Sequence, residues 1–146
     1  MPPERPYRAY ATIMAVFGGG LATAGVLAKL LDREPERATA LDLAALSVAT
    51  FKVARTIARD PVTSWIREPL TDDPDGGIEQ ALAELVTCSR CVGTWVAAGL
   101  GSTQIIAPRF GRLLTWTLGA AGVNDFLQAA FTTLAHKSDE IAERIG

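Results

Sequence analysis

The sequence is poor in the residues that most often carry chemistry. Its 146 residues include one histidine and two cysteines. The histidine, His136, stands beside Lys137 and is expected to be a solvated surface residue. No nucleophile, base and acid arrangement is recognisable, and the glycine run at 18–20 lacks the lysine that follows in a phosphate-binding loop. The sequence therefore gives no catalytic site, and enzyme activity is not the expected function.

An excess of basic residues is also missing. The formal net charge is -2 and the isoelectric point is about 5.4, so nucleic-acid binding is not expected. Hydrophobic residues make up 49 % of the chain and the mean hydropathy is +0.20. The hydrophobic fraction is near the average of soluble proteins, whereas the mean hydropathy is high for a soluble protein and low for a membrane bundle. The distribution of apolar residues along the chain therefore has to decide the class.

The longest apolar run covers residues 9–31. It carries no charged residue from 11 to 28, which is long enough for a membrane-crossing helix. The run includes the glycines at 18–20 and Gly25, which would be costly in a soluble helix but let membrane helices approach each other. We predict a retained membrane-crossing helix here, with a core helix of a soluble bundle as the alternative.

Three further segments are weaker candidates for crossing the membrane. Segment 40–58 carries basic residues such as Lys52 in its second half, where long side chains can reach the headgroups. Segment 92–108 is short, and segment 113–135 is interrupted by the polar pair at 124–125. An amphipathic soluble helix is the alternative for 40–58. The fold predicted from these patterns is all-α, with about four transmembrane helices.

The predicted organisation is a single helical membrane domain, 1–146, with segment 60–91 as a loop on one side. Within this loop, 78–87 has a helical pattern. Four crossings place both termini on the same side. Lysines and arginines are more numerous near that side, which favours a cytoplasmic location for the termini and the loop. The eight residues near the termini are Arg5, Arg8, Arg55, Arg59, Arg67, Arg90, Lys137 and Arg144, and the five opposite are Lys29, Arg33, Arg37, Arg109 and Arg112. The predicted location is the cell membrane, as a multi-pass protein.

The sharpest chemical feature is the pair Cys88-x-x-Cys91. This spacing can bind zinc, form a redox disulfide or serve helix packing. A structural zinc site needs four ligands, and the sequence has no third cysteine, so zinc would require two chains. The strand and helix pattern of thioredoxin-like proteins is absent. All three roles remain open, and zinc shared across a dimer is the one cofactor considered.

Two polar features interrupt the apolar pattern. Asp60, Arg67 and Glu68 form a polar cluster after the second helical segment, and they either bind a partner or lipid headgroup or fix the loop through caps and salt bridges. Asp125 lies inside an apolar segment, where a carboxylate is a functional-site candidate by default. Its expected partner is Lys52 or Arg55. The alternative is a hydrogen bond with Asn124 where the helix bends.

Three blocks of the chain resemble a known family. They are residues 42–55, residues 59–70 with the Arg67-Glu68-Pro69 turn, and Cys88-Ser89-Arg90-Cys91-Val92-Gly93-Thr94-Trp95. Together they are similar to domain-of-unknown-function family 1360, small bacterial membrane proteins, over residues 41–126. The chain departs from the pattern at Ser89, where proline is usual, at Pro61, where lysine is common, and at Leu70, where phenylalanine is common. The resemblance implies a multi-span membrane protein, some of whose relatives are associated with sporulation, and no established activity.

The first functional hypothesis is a structural or interaction subunit of a membrane assembly. Its partners would be the lipid bilayer and other membrane subunits or itself, and no nucleic acid. The candidate structural or interaction residues are Asp60, Arg67, Pro69, Trp95 and Asp125. One alternative is a small channel, holin-like pore or transporter subunit with Asp125 lining a polar path. The other is a thiol redox or metal-dependent membrane protein that uses Cys88 and Cys91.

Overall fold

The computed structural model describes residues 6–33, 37–72 and 77–145, with the side chains of the last helix described through Ser138 and at Ile141. The regular elements in these ranges are all helical, which confirms the all-α prediction. These described ranges contain six α-helices and one 3-10 turn. They are α1 Tyr7–Leu30, α2 Ala40–Arg59, the turn Pro61–Thr63, α3 Ser64–Thr71, α4 Gly77–Thr87, α5 Ser89–Ile106 and α6 Pro108–Ile145.

Local signals fix where the central helices begin. The Thr39 side chain accepts a hydrogen bond from the Asp42 N–H, and the Asp42 carboxylate accepts one from the Thr39 N–H, so a capping box starts α2. Helix α5 ends at Ile106, and Pro108 opens α6 at a position where its missing N–H costs nothing. The predicted segments 92–108 and 113–135 left 109–112 as the connection between them. The connection is Ala107 alone, and 109–112 form the first turn of α6.

Two sequence-based expectations are wrong at the element level. The segment 60–77, expected as a loop, contains the 3-10 turn and α3, because Pro61 occupies the first position of the turn. The helix break expected at Asn124 and Asp125 is also absent, since α6 is continuous through both residues. Asparagine and aspartate lower helix propensity by less than about 1 kcal/mol each, which neighbouring packing readily offsets.

The helices α2, α5 and α6 form the centre of the fold, and α1 packs beside α5 and α4. Glycines allow the closest approaches between them. A Cβ atom built on Gly111 would lie 2.5 Å from the Gln104 backbone nitrogen, at the α5–α6 crossing. On Gly122 it would lie 2.7 Å from Val48 Cγ1, at the α2–α6 crossing. Most of the buried core residues have small side chains. These core residues are Ala9, Ala28, Ala49, Ala54, Ala58, Ala81, Val92, Leu100 and Thr115.

The four long helices alternate in direction. The start of α1 and the start of α5 meet where Tyr10 and Cys91 line one cleft, and their ends meet where Arg33 and Pro108 line another. Helix α2 starts at that second end, where Asp42 shares a further cleft with Pro108. Helices α2 and α6 then run side by side. The start of α1, the end of α2 and the start of α5 therefore lie at one end of the bundle, here called the cysteine end.

Within the described residues, one helix, α1, is both long and apolar enough to cross a membrane. It is near the N-terminus and only 6 % of its most apolar stretch is buried. The expectation of about four transmembrane helices gains no support from length and hydropathy. Charged residues in α2 and the Asn124–Asp125 pair in α6 lower the apolar character of those helices.

Candidate functional site

The two cysteines are in direct contact at the start of α5. Cys88 is the residue that caps the N-terminus of this helix, and its sulfur accepts a hydrogen bond from the Cys91 backbone N–H at 3.3 Å. The Cys91 thiol also donates to the Cys88 sulfur, with 2.6 Å between the two Sγ atoms. Cys88 is half-buried and Cys91 is exposed. A pair in this position is open to solvent reagents and sits at the positive end of a helix dipole.

These hydrogen bonds separate the acidities of the two thiols. The bond from the Cys91 thiol, followed by the bond from the Cys91 backbone N–H, lowers the pKa of Cys88, and the nearby Arg90 acts in the same direction. The hydrogen bond to Cys88 raises the pKa of Cys91, and burial adds to this effect. Cys88 is therefore favoured as the thiolate while Cys91 retains its proton. A CxxC pair at a helix N-terminus commonly shows this polarity.

Beside Cys91 lies an apolar cleft of about 370 Å³ between α1, α4 and α5. At its wall, the Tyr10 hydroxyl of α1 donates a hydrogen bond to the Glu84 carboxylate of α4. The Trp95 ring of α5 packs edge-on against Phe17 of α1, with 5.0 Å between ring centroids. The lining residues are Tyr10, Ile13, Met14, Phe17, Ala81, Glu84, Leu85, Cys91, Thr94 and Trp95.

The polar cluster after α2 is a helix cap. The Arg67 guanidinium donates to the backbone oxygens of Ile57 at 2.7 Å and Asp60 at 3.0 Å. It also donates to the Thr63 hydroxyl, which in turn donates to the Thr56 oxygen at 2.6 Å. A positive charge on the last carbonyls of a helix is favourable. Asp60 thus takes part through its backbone oxygen, and Pro69 lies two residues beyond Arg67 in α3.

Asp125 joins α6 to α2. Of the two basic residues considered as its partner, Lys52 is the one in contact, with 2.7 Å between Nζ and Oδ2. The side chains are 26 % and 46 % exposed, respectively. Next to this ion pair, Phe51 of α2 stacks on Phe126 of α6, with ring centroids 5.3 Å apart. The alternative in which Asp125 lines a polar path stays a prediction.

The sequence singled out Cys88, Cys91 and Trp95 but not the other groups around them. Arg90 lies between the cysteines, and Glu84 stands one helical turn before Cys88, so both were visible as local signals. Tyr10 was not visible, because its contact with Glu84 spans 74 residues. Among the described residues, no group of three or more histidine, cysteine or acidic side chains gathers around a common point. Zinc shared between two chains therefore remains a prediction.

Comparison with known proteins gives a family and two relatives. The family profile of a protein of unknown function, DUF1360, matches residues 45–131. Sporulation protein YjcA of Bacillus subtilis (strain 168) is 28 % identical over 104 residues, covering 60 % of this chain and 88 % of YjcA. UPF0713 protein YngL of the same organism is 24 % identical over 106 residues, covering 65 % and 82 %. No solved structure matches. The matched residues include the cysteine pair and the Arg67 cap at the end of α2. This match makes the chain a member of the DUF1360 family.

Proposed function

We propose that this protein is embedded in the cell membrane and serves as a structural or interaction subunit of a membrane assembly. The observation that carries the proposal is α1, a 24-residue apolar helix of which 6 % of the most apolar stretch is buried. The core helix of a soluble protein would bury its apolar side chains against neighbours. Lipid or another membrane helix is the environment that such a surface fits.

The alternating directions of α1, α2, α5 and α6 support four crossings, at 9–31, 40–58, 92–108 and 113–135. Large apolar side chains also remain exposed on α2 and α6, which are less apolar than α1 and are not among the described helices apolar enough to cross a membrane by composition. Examples are Leu41 of α2 at 62 %, Phe126 of α6 at 54 % and Leu127 of α6 at 64 %. In this arrangement the whole chain, 1–146, is one membrane domain. The cysteine end and both termini face the cytoplasm, as the excess of basic residues there favours.

The glycines of α1 support a role in assembly. A Cβ atom built on Gly18, Gly19, Gly20 or Gly25 would meet no other atom within 4 Å, outside its own backbone. Small residues on an open face let a neighbouring membrane helix approach closely. The occupant proposed is a second copy of this chain or another membrane subunit. Because the relative YjcA is named a sporulation protein, sporulation is the process in which such an assembly is sought first.

Carbonate extraction tests membrane embedding. The unmodified chain is expected to stay in the membrane pellet, and so is the control Val62→Arg, which alters an exposed valine outside the proposed crossings. The combined change Val16→Arg and Val26→Arg is expected to lower the retained fraction, because arginine at a helix centre costs about 2.5–3.5 kcal/mol. Recovery of the unmodified chain in the supernatant would refute the proposal.

Native mass spectrometry in detergent tests the assembly role. We expect species larger than the 15.5 kDa chain. The combined change Gly18→Leu and Gly25→Leu should shift them toward the monomer, because the added side chains hold a neighbouring helix away. The control Val26→Leu, a similar apolar change on the same helix, should leave the distribution unchanged. A monomer in every preparation would contradict self-association.

A further inference from the structure

We propose that Cys88 and Cys91 form a reversible dithiol–disulfide pair that reduces disulfides with apolar flanks, presented in the cleft between α1, α4 and α5. This inference goes beyond the proposed membrane function, and its tests are made in detergent, separately from the tests of membrane embedding. It assigns a chemical activity to Cys88 and Cys91.

Proximity is the first observation in favour. The two Sγ atoms are 2.6 Å apart, so forming a bond between them requires only a small movement. Two residues, Ser89 and Arg90, separate the cysteines in sequence, and Cys88 lies outside the helix that contains Cys91. The oxidised and reduced forms therefore differ mainly in the first turn of α5.

The second observation is that the two sulfurs differ in their hydrogen bonds. Cys88 accepts two hydrogen bonds, from the Cys91 thiol and the Cys91 N–H, and both stabilise a negative charge on its sulfur. The lowered pKa of Cys88 agrees with this geometry. Cys88 is thus the attacking thiolate, and Cys91, which holds its proton, is the resolving thiol.

The surroundings select the substrate class. Cys91 lies at the wall of the 370 Å³ cleft, and most of the lining is aliphatic or aromatic, including Met14, Phe17 and Trp95. The acidic group in the lining, Glu84, accepts a hydrogen bond from Tyr10. A disulfide that carries an apolar group can place that group in the cleft beside Cys91, next to the Cys88 sulfur in contact with it. A carboxylate placed among these apolar side chains would lose solvation.

The reaction balances as two exchanges. The Cys88 thiolate attacks one sulfur of the substrate disulfide, the substrate S–S bond breaks, and the leaving sulfur takes the electron pair and the Cys91 proton. The Cys91 thiolate then attacks the Cys88 sulfur, closes the Cys88–Cys91 disulfide and releases the second substrate sulfur, which takes a proton from water. The substrate gains two electrons and the pair loses two. A low-molecular-weight thiol reduces the pair again, itself becoming a disulfide.

Trapping of the mixed disulfide identifies the attacking sulfur. The full chain in detergent is incubated with oxidised glutathione and examined by intact-mass spectrometry. Cys91→Ser is expected to accumulate one glutathione on Cys88, because the resolving thiol is gone. Cys88→Ser should react about tenfold more slowly at pH 7. The unmodified chain should show the intramolecular disulfide, two mass units lighter by loss of two hydrogens.

Two probes test the cleft. The reduced chain is mixed with lipoamide, an uncharged apolar disulfide, or with oxidised glutathione, and each rate is divided by the rate with free dithiothreitol. We expect a normalised preference for lipoamide. Met14→Gln, which makes the cleft wall polar, should reduce that preference, whereas Val16→Gln, an exposed α1 position outside the cleft lining, should preserve it.

The opposite outcomes overturn the inference. A pair that stays reduced with both lipoamide and oxidised glutathione, or a mixed disulfide that forms only on Cys91, refutes the proposed roles. One zinc ion per two chains with both thiols protected from alkylation supports the metal alternative instead. Because all measurements use purified chain in detergent, they give a result whether or not membrane embedding and assembly are confirmed.

Discussion

At the scale of single residues, Arg67 replaces the glycine that often ends a helix. The last carbonyls of α2 have no partner within the helix, and Arg67 reaches back from α3 to bind two of them. The same contacts attach α3 to the end of α2. Arg67 therefore sets the position of the segment that leads towards the cysteines.

Arg67→Met is expected to destabilise the fold by about 1–3 kcal/mol, because carbonyls at a partly buried helix end lose their donor. Thermal unfolding followed by circular dichroism in detergent measures the change. Arg59→Met serves as the control, since it removes an exposed arginine from the last turn of the same helix. Equal losses for the two variants would show that the cap contributes nothing specific.

The Lys52–Asp125 pair is suited to a double-mutant cycle. Asp125 is 46 % exposed, so a coupling of about 1 kcal/mol or less is expected in detergent. Asp125→Asn and Lys52→Met should each destabilise the fold, and the double variant should lose less than the sum. If the losses in unfolding free energy of the two single variants sum to the loss of the double variant, the pair makes no net contribution.

At the scale of elements, glycines decide how closely the helices pack. Gly111 stands opposite the backbone of α5, which cannot move aside as a flexible side chain would. Gly122 meets Val48 of α2 one turn before the Lys52–Asp125 contact. These crossings hold α2, α5 and α6 together, and α5 is the helix that carries Cys91.

Gly111→Ala is expected to cost about 1–3 kcal/mol, because its Cβ would lie 2.5 Å from a backbone nitrogen and α5 would have to shift. Gly99→Ala is the matched control. Its added Cβ meets nothing within 4 Å, so it should be neutral or stabilising by about 0.5–1 kcal/mol. Denaturant unfolding compares the two, and a loss in Gly99→Ala as large as in Gly111→Ala would refute the role of the crossing.

The sequence predicted these elements unevenly, for physical reasons. Apolar periodicity locates α1, α2 and α5 to within a few residues, since those helices keep one pattern along their length. Helix α3 was missed because Pro61 and Pro69 were interpreted as loop residues. Pro61 opens the 3-10 turn, where proline is accepted, whereas Pro69 lies inside α3, a position that proline usually disfavours. The continuity of α6 was missed because Asp125 has its partner on another helix, 73 residues away.

At the scale of the whole molecule, the candidate site contains residues from inside and from outside the segment that matches the family profile. The profile matches 45–131, yet Tyr10 and Phe17 of α1 form part of the cleft beside Cys91. The CxxC spacing indicated a site from sequence alone. Its apolar wall was not predictable, because it depends on α1 and α5 running in the same direction.

Side-specific labelling tests the proposed crossings. In a Cys88→Ser and Cys91→Ser background, Arg109→Cys places a thiol at the opposite end of the bundle. We expect an impermeant maleimide added outside intact cells to label this position and to leave Cys88 of the unmodified chain unlabelled. Labelling of both from the same side would exclude an arrangement in which α5 crosses the membrane.

The length of α6 has one more consequence. At about 1.5 Å per residue its 38 residues extend about 57 Å, nearly twice the span of α2. Helix α6 starts level with the end of α5 and runs beside α2. Its final turns therefore extend beyond the cysteine end of the bundle. A fluorophore attached at Ser138 would therefore not block the cleft. It would detect a molecule bound there through the distance between the fluorophore and that molecule.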